Sequence, residues 1–273
     1  MKTALIYILL AVLSVAFCAP LITMLSTSLK PDSELSRTPP TLLPVQPDPG
    51  IYRRVLESRE VPVPLYARNT LIITLLSMAG TLLSSAAVAY GFSRIAWRGR
   101  NVMFAVMLAT MMIPFPVVMV PTYVIFKHLG WIGSFKPLWV PAWFGSAFNI
   151  FLLRQFFLTI PRELDEAARL DGCGTWRTFW RIILPLAKPA LAIVAVLHFI
   201  TVWNDFLAPL IFLNHQDQFT LALGLTFYQT RSGGTSWNQL MAVSTMIVAP
   251  ALVIFFVAQR AFVRGIATTG IKG

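Results

Sequence analysis

Side chains that commonly perform catalysis or bind metals are few in this chain and widely separated. His128, His198 and His215 lack the short spacings of metal-ligand pairs. Cys18 and Cys173 are too far apart along the chain to suggest a disulfide framework. No pairing of a nucleophile with a base is evident either. The sequence therefore predicts no catalytic residue and no metal site, and an intramembrane enzyme is not favoured.

The glycine-rich tail at residues 265–272 is a near miss for a phosphate-binding loop. Such a loop has lysine directly after its second conserved glycine, followed by serine or threonine. Here Ile271 separates Gly270 from Lys272, and Gly273 follows the lysine. No strand-rich soluble domain is predicted around this tail. We therefore expect that the chain does not itself bind or hydrolyse ATP.

The most informative spacing lies in the acidic, glycine-terminated segment at residues 160–174. Glu163, Asp165 and Glu166 would place negative charge at the positive end of a helix dipole. Gly172 can adopt the left-handed conformation that ends a helix. The segment therefore predicts a helix of about 11 residues, about 16 Å long.

A second helix is predicted directly after it, with Thr175 as its N-cap. Apolar residues share one face of this helix and arginines share another; they are Trp176, Phe179, Ile182, Ile183 and Leu186, and Arg177 and Arg181. Physics alone leaves two interpretations open. The pair of helices could lie on the membrane surface, or it could form a rigid docking element for a cytoplasmic partner.

The elements that position this segment are predicted to cross a membrane. Of the 273 residues, 56% are hydrophobic and only 12% are charged, about half the charged fraction of soluble domains. Six runs approach the roughly 20 apolar residues that a span requires; they cover about residues 4–25, 70–92, 102–125, 138–157, 189–212 and 240–262. The first run is longer than the apolar core of a signal peptide, about 7–15 residues, so we interpret it as a span.

Three further segments carry local signals. Ser77, Thr81, Ser85 and Ala89 recur every four residues in the second run, a spacing that would let another helix approach closely. The third run contains prolines, which predict a kinked or broken helix. Residues 29–68 form a polar, proline-rich loop that we expect to be exposed and partly ordered.

Charge orients these spans. The net charge is +11, but the basic residues lie in short loops between apolar runs, which indicates topology rather than nucleic-acid binding. With the N-terminus inside, thirteen basic residues fall in inner segments and nine in outer ones. Six of those nine lie in the long first outer loop, which also holds five acidic residues. The positive-inside rule therefore predicts that both termini are cytoplasmic.

One ionisable group falls within an apolar run. Asp205 lies in the outer half of the fifth run, next to Trp203 and Asn204. A carboxylate at membrane depth is costly and tends to face a cavity or a polar partner. These three residues are therefore candidates for a translocation path. The alternative is a structural polar contact between helices.

The segment at residues 160–186 resembles the EAA motif of binding-protein-dependent ABC import permeases. The matching residues are Glu166-Ala167-Ala168, Asp171-Gly172 and Ile183-Leu184-Pro185-Leu186. Cys173 stands where this family usually has alanine. Later segments resemble the sugar-importer branch, which includes the smaller membrane subunit of the maltose importer; they are Trp203-Asn204-Asp205-Phe206-Leu207, Pro209-Leu210, Thr220-Leu221, Gly224-Leu225 and Gly270-Ile271-Lys272-Gly273.

This resemblance implies several partners. A second, similar membrane subunit would pair with this chain, and an extracytoplasmic binding protein would deliver a sugar. A dimer of ATPase subunits, holding ATP and Mg, would dock from the cytoplasm onto Glu166, Ala167, Ala168, Asp171 and Gly172. The C-terminal tail could also reach the ATPase dimer. The loop residues Arg231, Ser232, Gly233 and Gly234 could contact the binding protein; the alternative is a flexible outer loop without a special role.

The sequence thus predicts an all-α membrane protein with six transmembrane helices and a cytoplasmic coupling loop between helices 4 and 5. Residues 1–273 would form a single permease domain in the inner membrane. We expect it to be the permease subunit of an ABC importer for an oligosaccharide or glycoside. The alternative, an ion-coupled secondary transporter, would need buried ionisable groups for its coupling ion, and only Asp205 is available.

Overall fold

The structure is a computed structural model that describes residues 2–231 and 236–269, and every regular element in these residues is helical. In chain order the α-helices are α1 Lys2–Thr27, α2 Asp32–Leu35, α3 Gly50–Glu57, α4 Val63–Ser93, α5 Arg100–Thr110, α6 Phe115–His128, α7 Lys136–Trp139, α8 Ala147–Thr159, α9 Glu163–Leu170, α10 Thr175–Thr178, α11 Leu184–Leu186, α12 Lys188–Trp203, α13 Leu207–Phe212, α14 Leu221–Arg231 and α15 Trp237–Thr269. The 3₁₀ segments Val140–Phe144 and Gln216–Gln218 and the π-helical segment Phe179–Ile183 connect some of them.

Membrane-crossing segments are of two kinds. Helix α4 and the parts Thr3–Thr27 of α1 and Trp237–Gln259 of α15 are each long and apolar enough to cross a bilayer. Three bent pairs also qualify if each pair is counted as one span: α5 with α6, residues 136–159 with α9, and residues 175–186 with α12, bent by 98°, 77° and 76°. The all-helical membrane fold is therefore confirmed, while the count of six transmembrane helices stays a prediction.

Three of the predicted spans are not continuous helices. The fourth, residues 138–157, is interrupted at Gly145 and Ser146, between the 3₁₀ segment Val140–Phe144 and α8. The third, residues 102–125, breaks after Thr110, because Pro114 adopts an extended conformation (φ −71°, ψ 144°) before α6 begins. The fifth, residues 189–212, breaks between Trp203 and Leu207. The prolines of the third run signalled its break, whereas the break in the fifth begins at Asn204, a weak helix former.

The chain forms two compact units. One combines Met1–Arg68 with Thr220–Leu252, and the other combines Asn69–Phe219 with Val253–Gly273. The single permease domain predicted for residues 1–273 stays a prediction.

In the first unit, the segment that follows α1 is more ordered and more buried than we expected for residues 29–68. The side chains of Ile51 and Val55 in α3 are fully buried. Glu34 accepts hydrogen bonds from Thr41 Oγ1 (2.5 Å) and from the backbone N–H of Val45 (3.1 Å). The hydrogen bond from Thr41, followed by that from Val45, holds the pKa of Glu34 below its ordinary value. The apolar residues of α3 and the bonds of Glu34 fold a segment that composition alone marks as a loop.

Close approach of a glycine to an aromatic ring joins two helices of this unit. Gly224 in α14 faces Tyr66 in α4, whose side chain is 1% exposed. A Cβ atom at position 224 would lie 2.3 Å from Cδ2 of Tyr66. Since that distance is far inside van der Waals contact, only glycine fits without movement of the ring.

The second unit has a continuous apolar core around the end of α4. Leu153 and Phe157 of α8 are fully buried in it, together with Ile183 and with Ala187, which precedes α12. The ring of Tyr90 in α4 lies 5.0 Å from that of Phe179, measured between centroids. This core therefore holds the segment at residues 175–187 against α4 and α8.

The four-residue repeat in α4 is a packing face, as its small side chains indicated. Ser77, Thr81, Ser85 and Ala89 are all buried. Ser85 Oγ accepts a hydrogen bond from the backbone N–H of Ser146 (3.3 Å). Small side chains at this face let neighbouring backbone approach α4 closely.

Replacing Gly224 with alanine tests the contact with Tyr66. Alanine gains about 1 kcal/mol of helix propensity, but the overlap with a buried ring should cost about 1–3 kcal/mol. We expect net destabilisation, seen as a lower unfolding midpoint of the purified protein in detergent. Gly91→Ala is the matched control, because a Cβ atom there meets nothing within 4 Å; a Gly224→Ala variant as stable as Gly91→Ala would contradict the packing argument.

Candidate functional site

The candidate site is the helical hairpin at residues 163–186, which begins with α9. The first turn of α9 contains Glu163, Asp165 and Glu166, and its last turn contains Arg169. Both charge signs complement the helix dipole. The backbone N–H of Asp165 donates to the carbonyl of Arg162 (2.9 Å), which closes the first turn. The helix has eight residues, somewhat fewer than the predicted length.

The end of α9 is a Schellman motif built on Gly172. The backbone N–H of Cys173 donates to the carbonyl of Ala168 (2.8 Å), and that of Gly172 donates to the carbonyl of Arg169 (3.0 Å). Gly172 has φ +76°, in the left-handed region where side chains are disfavoured. The sequence-based prediction that Gly172 ends this helix is therefore confirmed.

The predicted coupling residues differ in exposure. Glu166, Ala167, Asp171 and Gly172 are exposed, whereas Ala168 is only 3% exposed. Leu170, near the end of α9, is 90% exposed. Four of the five predicted residues thus lie on the surface of the hairpin, and the fifth, Ala168, is buried.

Polar contacts attach α9 to the end of α4. The Arg94 guanidinium donates from Nη1 to Asp165 Oδ2 (2.7 Å), and from Nη2 to the carbonyls of Phe157 (2.6 Å) and Ile160 (2.5 Å). The side chain of Arg94 is 4% exposed and that of Asp165 is 16% exposed. In the sequence, Arg94 is one of the thirteen basic residues that we assigned to inner segments, and nothing there indicates its partners.

The second half of the hairpin is embedded in the core on one side. Phe179 and Ile183 are buried, as the predicted apolar face requires, whereas Trp176 is 64% exposed. The hydroxyl of Tyr90 donates to the backbone carbonyl of Thr175 (3.2 Å). Residues 179–183 are wound as a π-helix rather than the continuous α-helix that we expected.

The candidate path residues lie at the break that follows α12. The ring of Trp203 is buried and stacks on Phe199 at 5.1 Å between centroids. Asn204 is exposed, and its side-chain amide donates to the carbonyl of Ile200 (2.8 Å). Asp205 Oδ1 accepts from the backbone N–H of Ala208 (3.2 Å). The 16 residues of α12 place these residues about 24 Å from the hairpin.

The loop predicted to contact a binding protein is largely outside the described residues. Ser232, Gly233 and Gly234 lie outside them, and α14 ends at Arg231. Gly270, Ile271, Lys272 and Gly273 of the C-terminal tail also lie outside them.

A polar cluster between α4 and α12 was missed by the sequence analysis. His198 Nε2 lies 2.8 Å from Ser77 Oγ and 3.2 Å from Thr81 Oγ1, and both hydroxyl-bearing residues are buried. The available signal was a histidine inside an apolar run, together with the hydroxyl-bearing repeat of α4. The cluster ties the second and fifth predicted spans together.

Sequence comparison assigns the family. Residues 80–268 match the family described as "Binding-protein-dependent transport system inner membrane component". This is the family that the EAA resemblance at residues 160–186 indicated. The chain belongs to this family of inner membrane components, so it is a multi-pass membrane protein.

Curated relatives extend over most of the chain. The "Arabinooligosaccharides transport system permease protein AraQ" of Halalkalibacterium halodurans is 33% identical over 265 residues, covering 95% of this chain and 93% of the relative. The "sn-glycerol-3-phosphate transport system permease protein UgpE" of Yersinia pestis is 33% identical over 243 residues, covering 86% and 85%. Both relatives are named as permease proteins.

Solved structures show the same fold. A chain of a bacterial ABC transporter involved in the import of the acidic polysaccharide alginate matches with a TM-score of 0.84 and 25% identity, covering 95% of both chains. A chain of the MetNI methionine ABC transporter matches with a TM-score of 0.53 and 21% identity, covering 74% of this chain and 93% of the other, which supports the fold alone. The chain is therefore a membrane subunit of an ABC importer, and the comparisons give no support to an ion-coupled secondary transporter.

The His198 cluster can be tested with a mutant cycle. Ser77→Ala with Thr81→Val should leave the imidazole without these partners and destabilise the protein by about 1–2 kcal/mol. Adding His198→Leu should restore part of that loss, because replacing both sides of a hydrogen bond with apolar groups is far less costly. Equilibrium unfolding in detergent measures both; a triple variant that is less stable than the double variant would contradict a polar tie between α4 and α12.

Proposed function

We propose that this chain is the permease subunit of an ABC sugar importer in which the hairpin at residues 163–186 receives a cytoplasmic ATPase. The observation that supports this most directly is the geometry of α9. It is a short helix, ended by a Schellman motif, that presents Glu166, Ala167, Asp171 and Gly172 to solvent while Ala168 is buried. A helix of this kind makes a rigid projection suited to a matching cleft.

The path would lie at the break between α12 and α13. Irregular backbone at membrane depth is tolerated where it is buried in protein or lines a water-filled cavity. Asn204 is exposed at this break, so its amide is available to hydroxyl groups. Trp203 is buried against Phe199, and we assign it to support of the path rather than to direct substrate contact. Asp205 anchors the start of α13 and borders the same path.

An uncharged oligosaccharide or glycoside fits these residues better than a phosphate ester does. The relatives named above include permeases for arabinooligosaccharides and for sn-glycerol-3-phosphate. Among the three path residues the ionisable group is Asp205, a carboxylate, which would repel an anionic substrate at low dielectric. The amide of Asn204 suits the hydroxyl groups of a sugar.

The proposed assembly has four kinds of partner. They are a second, homologous permease subunit, a dimer of ATPase subunits that holds ATP and Mg, an extracytoplasmic sugar-binding protein and the lipid bilayer. One solved relative is a bacterial alginate ABC transporter in complex with an alginate pentasaccharide-bound periplasmic protein. We place both termini and the hairpin in the cytoplasm, with six spans, and assign the loop at residues 231–234 to contact with the binding protein.

Purification in mild detergent from the native membrane, followed by reconstitution, tests this proposal. We expect a second permease and an ATPase to co-purify, and reconstituted vesicles to import a sugar only with ATP and the binding protein. Mass spectrometry identifies the subunits, and labelled sugars, with glycerol phosphate as the comparison, measure uptake. Uptake driven by an ion gradient, with no ATPase recovered after crosslinking, would contradict the proposal.

Two substitutions at Gly172 separate its backbone role from its docking role. Gly172→Ala adds little volume but should cost about 1–2 kcal/mol because of the positive φ. Asparagine tolerates a positive φ better than alanine does, but Gly172→Asn adds a larger side chain. A Cβ atom at this position would have no atom of this chain within 4 Å, so the added side chain would project toward a docking partner. If the ATPase docks there, Gly172→Asn should reduce transport more than Gly172→Ala, at equal protein levels in the membrane. Normal uptake by Gly172→Asn would remove this residue from the docking surface.

A further inference from the structure

Arg94 joins the ends of three helices at one point. It directly follows α4, and its guanidinium contacts Asp165 in the first turn of α9 and two carbonyls at the end of α8. Phe157 lies in the last turn of α8 and Ile160 is its C-cap residue, at the end of the helix where carbonyls lack the usual helical partners. The carbonyl of Phe157 also accepts from the backbone N–H of Ile160 (3.3 Å). A cation is also favourable at a helix C-terminus. We refer to Arg94 and Asp165 with these two carbonyls as the Arg94 clasp.

Polar contacts, rather than close packing, hold α9 in this position. A cavity of about 310 Å³ lies beside the clasp and is lined by Tyr90, Arg169, Cys173 and Thr175 among other residues. Ala168 is the one buried residue of α9, and no residue of α9 belongs to the apolar core of this unit. A methyl group makes few van der Waals contacts. A movement of α9 can therefore reach α4 mainly through the ion pair of Arg94 and Asp165.

The geometry of the clasp makes it stiff. All three bonds are 2.5–2.7 Å long, and charge-assisted bonds of a planar guanidinium are strongly directional. The pair is largely shielded from solvent, with side-chain exposures of 4% and 16%, so salt screens it less than a surface pair. A displacement of α9 of more than a fraction of an ångström must therefore move the end of α4 or break the pair.

We propose that Arg94 is the positioning residue that transmits movement of α9 to helix α4, and that Asp165 is its partner in α9. This inference rests on the proposed function, because it assumes that an ATPase moves α9. Neither residue needs to touch the ATPase or the sugar. Asp165 acts on α4 through Arg94, and the exposed residues of α9 remain free to dock.

The test uses the complete transporter in vesicles, with Arg94→Gln, Asp165→Asn and the double variant. Arg98→Gln is the matched control, because it removes an exposed arginine four residues away. For Arg94→Gln we expect normal subunit assembly and ATP hydrolysis, and at least about a tenfold fall in sugar imported per ATP. Sugar import per ATP should fall less for Asp165→Asn, because the amide oxygen of asparagine still accepts a hydrogen bond. The double variant should resemble Arg94→Gln.

Other results would overturn the proposal. One such result is sugar import per ATP within about twofold of wild type in both Arg94→Gln and Asp165→Asn. Another is a double variant whose fold-loss of import per ATP equals the product of the two single fold-losses, because the residues would then act independently. If Arg94→Gln does not accumulate in the membrane, Asp165→Asn tests the proposal, because Arg94 keeps both of its carbonyl contacts in that variant. A lowered import of sugar per ATP supports the Arg94 clasp, and a normal import per ATP overturns it.

Hydrogen exchange on the same samples separates this inference from the proposed function. Loss of the clasp should speed amide exchange in residues 163–170 of Arg94→Gln and leave Arg98→Gln unchanged. Unchanged exchange in Arg94→Gln would overturn the mechanical link. If the wild-type complex imports no sugar with ATP while exchange in Arg94→Gln is faster, the proposed function fails and the clasp stands as a structural link.

Discussion

Backbone hydrogen bonding in an apolar solvent constrains this chain more than any single side chain does. Within a bilayer each unpaired N–H or C=O costs several kcal/mol, so every regular element of the described residues is helical. The same constraint explains where irregular backbone occurs. Pro114 interrupts the third run, and the break that follows Trp203 uses the side chains of Asn204 and Asp205 to bind nearby backbone groups. Arg94 meets the same need at the end of α8.

One helix connects the two candidate regions of the second unit. Helix α12 starts directly after the hairpin at residues 163–186 and ends at the candidate path residues. His198, in its second half, contacts Ser77 and Thr81 of α4. Arg94 contacts α9 at the other end of the same α4. Helix α4 is therefore linked to α12 through His198 and to the hairpin through Arg94. A movement of the hairpin would consequently be shared between α4 and α12.

The sequence predicted most of the secondary structure and the end of α9, but few of the tertiary contacts. Apolar length and proline positions depend on local chemistry, and the φ required at position 172 restricts that position to residues such as glycine. The partners of Arg94 and of His198 lie more than 60 residues away along the chain, where periodicity carries no information. The extent of order in residues 29–68, which we expected to be only partly ordered, was underestimated for a similar reason. Glu34 is held by contacts within its own loop that composition does not reveal.

The charges of the hairpin help to choose between the two interpretations that the sequence left open. Helices that lie on membranes carry lysine or arginine on their polar face, because lipid headgroups are often anionic. The first turn of α9 instead exposes two acidic residues, Glu163 and Glu166, while Asp165 is paired with Arg94. The exposed side of this turn would therefore be repelled by such a surface. The second half differs, since Arg177 and Arg181 accompany the exposed Trp176, a combination typical of the membrane interface. The two halves are thus suited to different surroundings: residues 175–186 to the edge of the bilayer, and α9 to a protein surface with basic groups.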